Sequence, residues 1–265
     1  MVTIKSEREL ALMREAGKRV SEVLGELAKM AKPGVTLLEL DQAAEELTLA
    51  RDAKPAFKGY HGFKHTLCTS VNEQIVHGVP TNRKLVDGDI VGLDYGLVYK
   101  GFYGDSAVTV PIGKVSDRCV QIMRATRDSL YAAIEASREG NTLRDIARAV
   151  EDVVKPYGYS IVREFVGHGI GQKLHEDPQI ANYVAGSSTM KLRRGMTICI
   201  EPMINEGSPG VRVLDDHWTA VTVDGKLSAH YEHTLAITDG PAEVLTEWTP
   251  ARFESVLGSL TEGKD

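Results

Sequence analysis

Long apolar runs are missing from this chain. No stretch comes near the roughly 18 consecutive apolar residues that a membrane-spanning helix needs, which argues against a membrane protein. The opening residues, MVTIKSERELALMREAGKRV, are amphipathic and charged, so no signal peptide is expected. Cysteine is scarce: Cys68, Cys119 and Cys199 lie far apart and form no CxxC pair, the pattern of reduced thiols in a cytoplasmic protein. Positive charge is in deficit, 31 Lys and Arg against 37 Asp and Glu for a net −6, which disfavours a nonspecific nucleic-acid or anionic-membrane partner. Low-complexity segments are absent, and only the tail after Trp248 is weakly specified, its end (TEGKD) expected to fray. What remains is an ordinary globular composition, 42% apolar and 26% charged over 265 residues, enough to bury a large core as one domain over residues 1–265.

The chain repeats itself imperfectly. KLVDGDIVGLD at 84–94 aligns with KLRRGMTICIE at 191–201, a spacing of 107 residues. The same spacing carries Tyr60-His61-Gly62 onto Gly167-His168-Gly169, and Gly34-Val35-Thr36-Leu37 matches Gly140-Asn141-Thr142-Leu143 one residue closer. Each copy, about 34–110 and 140–238, reads helix, loop, His-Gly, apolar strand, acid. Two copies of this size indicate one duplicated domain with a pseudo-twofold core, with Asp94 and Glu201 facing each other near the axis.

Local signals fill in the elements. Ser6 with Glu9 forms a capping box for a helix that stops at Lys32-Pro33-Gly34, with Leu10, Met13, Val20, Val23, Leu24 and Leu27 on its apolar face. Thr36 with Glu39 caps a second helix to about Arg51, Ser116 opens a third ending near Glu139-Gly140, and Thr142 with Asp145 caps a fourth to about Lys155. Strands are expected at 67–77, 89–97, 101–110, 160–166, 196–201, 211–214, 218–223 and 228–237. Helices come in blocks before strands, which predicts an α+β fold with a mostly antiparallel sheet.

Five residues stand at the end of, or inside, these strand-like runs: Asp94 in GDIVGLDYG, Asp105 in GFYGDSAVT, His168 in VGHGIG, Glu201 in CIEPM and Glu232 in HYEHT. Carboxylates held together on rigid strands repel one another unless cations neutralise them, so the set suggests metal. The spacing of Asp94 and Asp105 suits two strands of a hairpin with both carboxylates on one face. Gly167-His168-Gly169-Ile170-Gly171 lacks the G-x-G-x-x-G spacing and ribose-binding acid of a dinucleotide site; its glycines instead allow backbone to approach the histidine closely. His230 and His233 flank Glu232 and are expected not to ligate. His77 and His175 are the remaining polar candidates, outside any H-E-x-x-H context, while His65 reads as a surface or packing residue.

YHGF, SVNEQIVHGVP, GDIVGLDYG, GFYGDSAVT, VGHGIG with LHEDPQ, IEPM and YEHT together resemble the type I methionine aminopeptidases over residues 4–245. The absence of a zinc-finger extension and of a long helical insertion resembles the short bacterial form. The resemblance implies a duplicated pita-bread fold, a curved, mostly antiparallel sheet with helices on its outer face, and removal of the initiator methionine from nascent polypeptides with preference for a small second residue. It makes Asp94, Asp105, His168, Glu201 and Glu232 ligands of two divalent ions (Co, Mn, Fe or Zn), with Asp105 and Glu232 shared between them. It makes Glu201 the general base, with His175 and His77 contacting substrate, and it lines the methionine pocket with Tyr60, His61, Phe63, Cys68 and Trp218. Phe57 and Leu174 stand at pocket positions that vary, and Phe63 stands where Tyr is frequent. The expected partners are N-termini of nascent proteins at the ribosome, met by a cytoplasmic monomer without direct nucleic-acid contact. Two other readings stay open: an X-Pro aminopeptidase or prolidase, which shares fold and ligands, and a binding module that has lost its metal.

Overall fold

The computed structural model describes residues 2–248; the expected fraying of the tail lies outside them. Four helices start where the caps place them. α1 (Glu7–Met30) begins on Ser6, whose hydroxyl accepts from the Glu9 N–H while the Glu9 carboxylate accepts from the Ser6 N–H. All six residues of its expected apolar face are buried. α2 (Leu37–Leu49) starts from the Thr36–Glu39 box, α3 (Asp117–Ala136) from Ser116, and α4 (Leu143–Val154) from the Thr142–Asp145 pair. α3 stops three residues before the expected Glu139, because Ser137 leaves helical geometry and its N–H bonds Ile134 O.

The strands are β1 (Lys54–Pro55), β2 (Leu67–Val71), β3 (Ile90–Tyr99), β4 (Phe102–Pro111), β5 (Ser160–Ile161), β6 (Gly167–Gly169), β7 (Glu176–Ile180), β8 (Thr197–Ile200), β9 (Met203–Asn205), β10 (Val211–Val213), β11 (Ala220–Thr222), β12 (Ser228–His230), β13 (Glu232–Ala236) and β14 (Glu243–Val244). The main sheet runs β1-β3-β4-β13-β8-β6-β7, with β2 also on β3 and β14 also on β13. Among the described residues every strand pairing is antiparallel. The α+β class expected from the order of elements is the one observed.

The two halves repeat in detail. Thr36 bridges Lys84, and Thr142 bridges Lys191. Gly34 N–H bonds Leu85 O at 2.8 Å, and Gly140 N–H bonds Leu192 O at 3.0 Å. β3 and β8 flank the central β4–β13 pair, so the pseudo-twofold passes between β4 and β13. One expected match fails. His168 sits in β6 opposite Cys199, whereas Gly92, the repeat partner of Cys199, faces Ser70. Ser70 is therefore the positional equivalent of His168, and His61 lies elsewhere, in a 3₁₀ turn.

Several strands are shorter than their apolar runs. The run 67–77 ends as a strand at Val71, where Asn72 turns the chain with φ 56°. The run 228–237 breaks at Tyr231, where the chain passes from the small β5–β9–β12 sheet to the main one. Most of 160–166 is loop. β7 was not expected, because Glu-Asp-Pro-Gln-Ile has no apolar alternation.

α1, α2 and α3 pack against strands of the main sheet, and α4 packs on α3. Tyr95 points toward α2 from β3, fully buried, and its hydroxyl donates to Thr48 Oγ1 of α2 at 2.6 Å, which in turn donates to Ala44 O. Asp94, its neighbour on the strand, points to the opposite face. Tyr95→Phe leaves the Thr48–Ala44 bond intact, so it is expected to cost only about 0.5–1.5 kcal/mol. Urea unfolding would measure this. Activity per folded molecule should not change, because the phenol lies across the sheet from the cleft.

Candidate active site

Sheet register brings the acids together. Asp94 pairs with Ala107, and Gly96 pairs with Asp105. Since residues two apart share a face, Asp94 and Asp105 project from the same side of the hairpin. Glu232 faces Ala107 from β13 and joins them. His233 pairs with Ile200, so Glu201, one step further, comes opposite Glu232. Carboxylate oxygens of Asp94, Asp105 and Glu232 lie within 4.8 Å of one another, and donor atoms of His168, Cys199 and Glu232 form a second such group. Cys199 was read only as a reduced thiol. Strand alternation, which puts 199 on the face of 201, was the signal that could have placed it here.

His168 completes the cluster in a particular form. Its Nδ1 meets Gly169 O at 2.8 Å and can only donate to a carbonyl. Burial lowers its pKa to about 3, so the ring is neutral and Nε2 carries a lone pair. That lone pair faces Glu201 Oε1 at 3.6 Å and Asp105 Oδ2 at 4.0 Å. The close backbone expected at the flanking glycines is real: a side chain at Gly167 would meet Cys199 O at 2.3 Å, and one at Gly169 would meet Asp177 O at 2.1 Å.

The electrostatics of the cluster are unfavourable without a cation. Burial raises the Asp94 pKa to about 7. Asp105, Glu201 and Glu232 are pushed well above the usual carboxylate range, first by burial and then by repulsion from one another and from Asp94. Asp105 Oδ1 and Glu232 Oε1 are buried without a hydrogen-bond partner. Three anionic or lone-pair donors converging on orphaned oxygens fit a divalent cation, and the oxygen-rich set with one imidazole suits Mn, Fe, Co or Zn. His230, expected not to ligate, has its Nε2 buried without a hydrogen-bond partner 3.9 Å from Glu201 Oε2, so it borders the cluster. His233 lies on the helix face against Thr246 and Trp248, as expected of a residue that does not ligate.

The acids form the floor of an open cleft of about 270 Å³. His77, His175, Tyr60, His61, Phe63, Cys68 and Trp218 all line it, and so do Phe57 and Leu174. Phe63 and Trp218 meet edge to face at 5.0 Å. Trp218 is aimed by Asp216, which no motif singles out; Asp216 accepts from the Trp218 backbone N–H at 2.9 Å and from Thr219 N–H and Oγ1. His77, in left-handed geometry at φ 58°, has its pKa lowered to about 4 by burial. His65 instead pairs with Asp41 at 2.7 Å outside the cleft.

Residues 11–239 match the profile of metallopeptidase family M24. Methionine aminopeptidase 1 of Bacillus subtilis (strain 168) is 47% identical over 246 residues, which cover 93% of this chain and 99% of that protein. The crystal structure of methionine aminopeptidase from Thermotoga maritima matches with a TM-score of 0.91 at 45% identity, covering 93% of this chain and 100% of that one. That from Rickettsia prowazekii gives the same TM-score of 0.91 and the same coverage, 93% and 100%, at 35% identity. The pita-bread architecture expected from the sequence is the one these neighbours share.

The raised carboxylates bind protons more tightly in the folded than in the unfolded chain. Ion-free protein should therefore lose stability as pH rises from the unfolded carboxylate range through the folded pKa values, about 7 for Asp94 and well above the usual carboxylate range for the rest. The buried histidines 77, 168, 230 and 233, lowered to about 3 or 4, act in the opposite sense. They drop out above roughly pH 6.5, the unfolded value, where both states are neutral. Between pH 6.5 and 8 the Tm of chelator-treated protein should fall, and saturating Mn²⁺ should raise the Tm and flatten that fall. Equal slopes with and without the ion would show that these carboxylates do not meet a cation.

Proposed function

The chain belongs to metallopeptidase family M24 and groups within it with the methionine aminopeptidases of bacteria, and from that premise we propose that its cleft removes the initiator methionine from nascent polypeptides using two divalent ions. The observation that carries the reading is the neutral lone pair of His168 facing Glu201 and Asp105 beside the orphaned oxygens of Asp105 and Glu232. Asp94, Asp105, His168, Glu201 and Glu232 would hold the ions, and the two donor groups that share Glu232 favour a pair over a single ion. When bound, such ions supply neutralising charge and Lewis acidity toward water and the scissile carbonyl.

The chain's own residues do the rest. Glu201 takes the proton of the attacking water and passes it to the leaving amine. His175 donates to the carbonyl oxygen as negative charge develops on it. His77 hydrogen-bonds the nitrogen of the scissile bond and crowds the second residue of the substrate, which favours a small one. Asp94 meets the free α-ammonium, which confines the enzyme to chain ends. Tyr60, His61, Phe63, Cys68 and Trp218 receive the methionine side chain, where sulfur–aromatic contact adds about 0.3–1.5 kcal/mol.

The enzyme would work as a cytoplasmic monomer on nascent chains at the ribosome, the whole chain forming one catalytic unit. Three free cysteines, a net charge of −6 and the lack, among the described residues, of a helix able to cross a membrane fit that setting. Hydrolysis of Met-Ala-Ser that is lost with chelator and restored with metal, without cleavage of Ala-Pro peptides, is the expected result. The reverse preference would make the protein an X-Pro peptidase, and binding without hydrolysis would make it a binding module.

Glu201→Gln should lose roughly 10²–10⁴-fold in kcat as its general base disappears, with the fold retained. Turnover of Met-Ala-Ser within a few-fold of wild type would remove Glu201 from that role. Trp218→Ala tests the pocket. A methionine slot separates Met from Leu by only about 1–3 kcal/mol, and the ratio of kcat/KM for Met-Ala-Ser over Leu-Ala-Ser should fall in the variant. An unchanged ratio with lowered stability would make Trp218 plain core.

A further inference from the structure

Tyr60 does more than line the methionine pocket. Its hydroxyl lies 2.7 Å from His175 Nδ1, and the two rings tilt together at 5.3 Å. We infer that Tyr60 is a positioning residue that fixes the tautomer of His175. The inference rests on the proposed peptidase function, in which His175 donates to the carbonyl oxygen of the scissile bond.

The argument is one of donors and acceptors. A neutral imidazole carries one proton, on either Nδ1 or Nε2, and the partner of one nitrogen decides the other. A phenol is the better donor and an imidazole nitrogen the better acceptor, so Tyr60 O–H donates to Nδ1. The proton of His175 then sits on Nε2, the nitrogen left to donate to a substrate oxygen. The opposite arrangement would present a lone pair to a developing negative charge and would repel it.

Both partners are held before substrate arrives. Tyr60 lies in a tight turn where Gly59 (φ 92°), His61 (φ 48°) and Gly62 (φ 90°) all take left-handed geometry. The turn is closed by Tyr60 N–H to Phe57 O and Phe63 N–H to Tyr60 O, each 2.9 Å, and by Gly59 N–H to Phe63 O at 2.7 Å. A non-glycine residue such as His61 takes this geometry only where surrounding structure enforces it. On the other side, the residue after His175 is Glu176, anchored by Lys5 Nζ at 2.6 Å and by the Thr3 hydroxyl at 2.7 Å. The hydroxyl–imidazole bond therefore spans two clamped segments 115 residues apart in sequence.

Tyr60→Phe keeps the ring and removes only the hydroxyl. In the metal-loaded enzyme its kcat for Met-Ala-Ser should fall about tenfold to a hundredfold, the usual loss when the partner that orients an active group is removed. KM, bound metal and the Met-to-Leu preference should stay close to wild type, because the ring still lines the pocket. His175→Ala and the double variant with Tyr60→Phe should be equally impaired, since the Tyr60 hydroxyl acts only through His175. In ¹⁵N-labelled holoenzyme, His175 should carry its proton on Nε2, and Tyr60→Phe should show a mixture of tautomers. Unchanged kcat in Tyr60→Phe, additive losses in the double variant, or a proton on Nδ1 in the wild type would each overturn the assignment. A wild type inactive on methionyl peptides would instead refute the proposed function, while the tautomer spectra would still decide whether Tyr60 sets the proton on His175.

Discussion

Four carboxylates converge on a single sheet face, three of them far above their ordinary pKa range and two with oxygens that no donor reaches. A chain does not bring such groups together without a rigid frame, because each gains by turning toward water. Strands provide that frame, since register fixes which residues share a face to within one position. A slip of one residue between β4 and β13 would turn Glu232 toward the helices and bring His233 into the cluster. The apolar burial on the helix face, where Leu93, Tyr95 and Leu97 point from β3, specifies the register and so holds the acids where they repel.

The frame is symmetric and the site is not. β3 and β8 each end their apolar run with an acid at matched positions, Asp94 and Glu201, on either side of the β4–β13 pair. The histidine that completes the donor set has only Ser70 as its counterpart across the axis. Duplication thus accounts for the paired acids at the axis. Divergence accounts for the direction of the chemistry, with a nitrogen donor on the β6 side and an apolar slot on the β2 side.

Most of this was legible in the sequence, for reasons particular residues make plain. The capping pairs Ser6–Glu9 and Thr36–Glu39 act locally, and they placed helix starts to the residue. Asp94, Asp105, Glu201 and Glu232 were readable because an acid inside an apolar strand is exceptional. The misses have a common cause. β7 carries no apolar alternation, Asn72 ends β2 through a backbone angle, and the break at Tyr231 passes the chain from one sheet to another. The match of His61 to His168 failed because two His-Gly pairs can align by chance where register, a long-range property, does not.

The rim of the cleft is built differently from its floor. His61, Asn72 and His77 all adopt left-handed backbone, with φ of 48°, 56° and 58°. Strain of this kind persists only where neighbouring contacts over-determine the chain, and it collects at sites whose shape must be set beforehand. Here it follows from the architecture. Strands can present acids along one face but cannot curl side chains back over them, so loops must reverse direction sharply to bring His77 and Tyr60 above the carboxylates. Asn72 turns the chain out of β2, with its amide donating to Asp89 and its carbonyl accepting from Ile90 N–H, and five residues later His77 faces the cleft. The sheet thus fixes where charge sits, and the tight turns on its rim fix what can reach it.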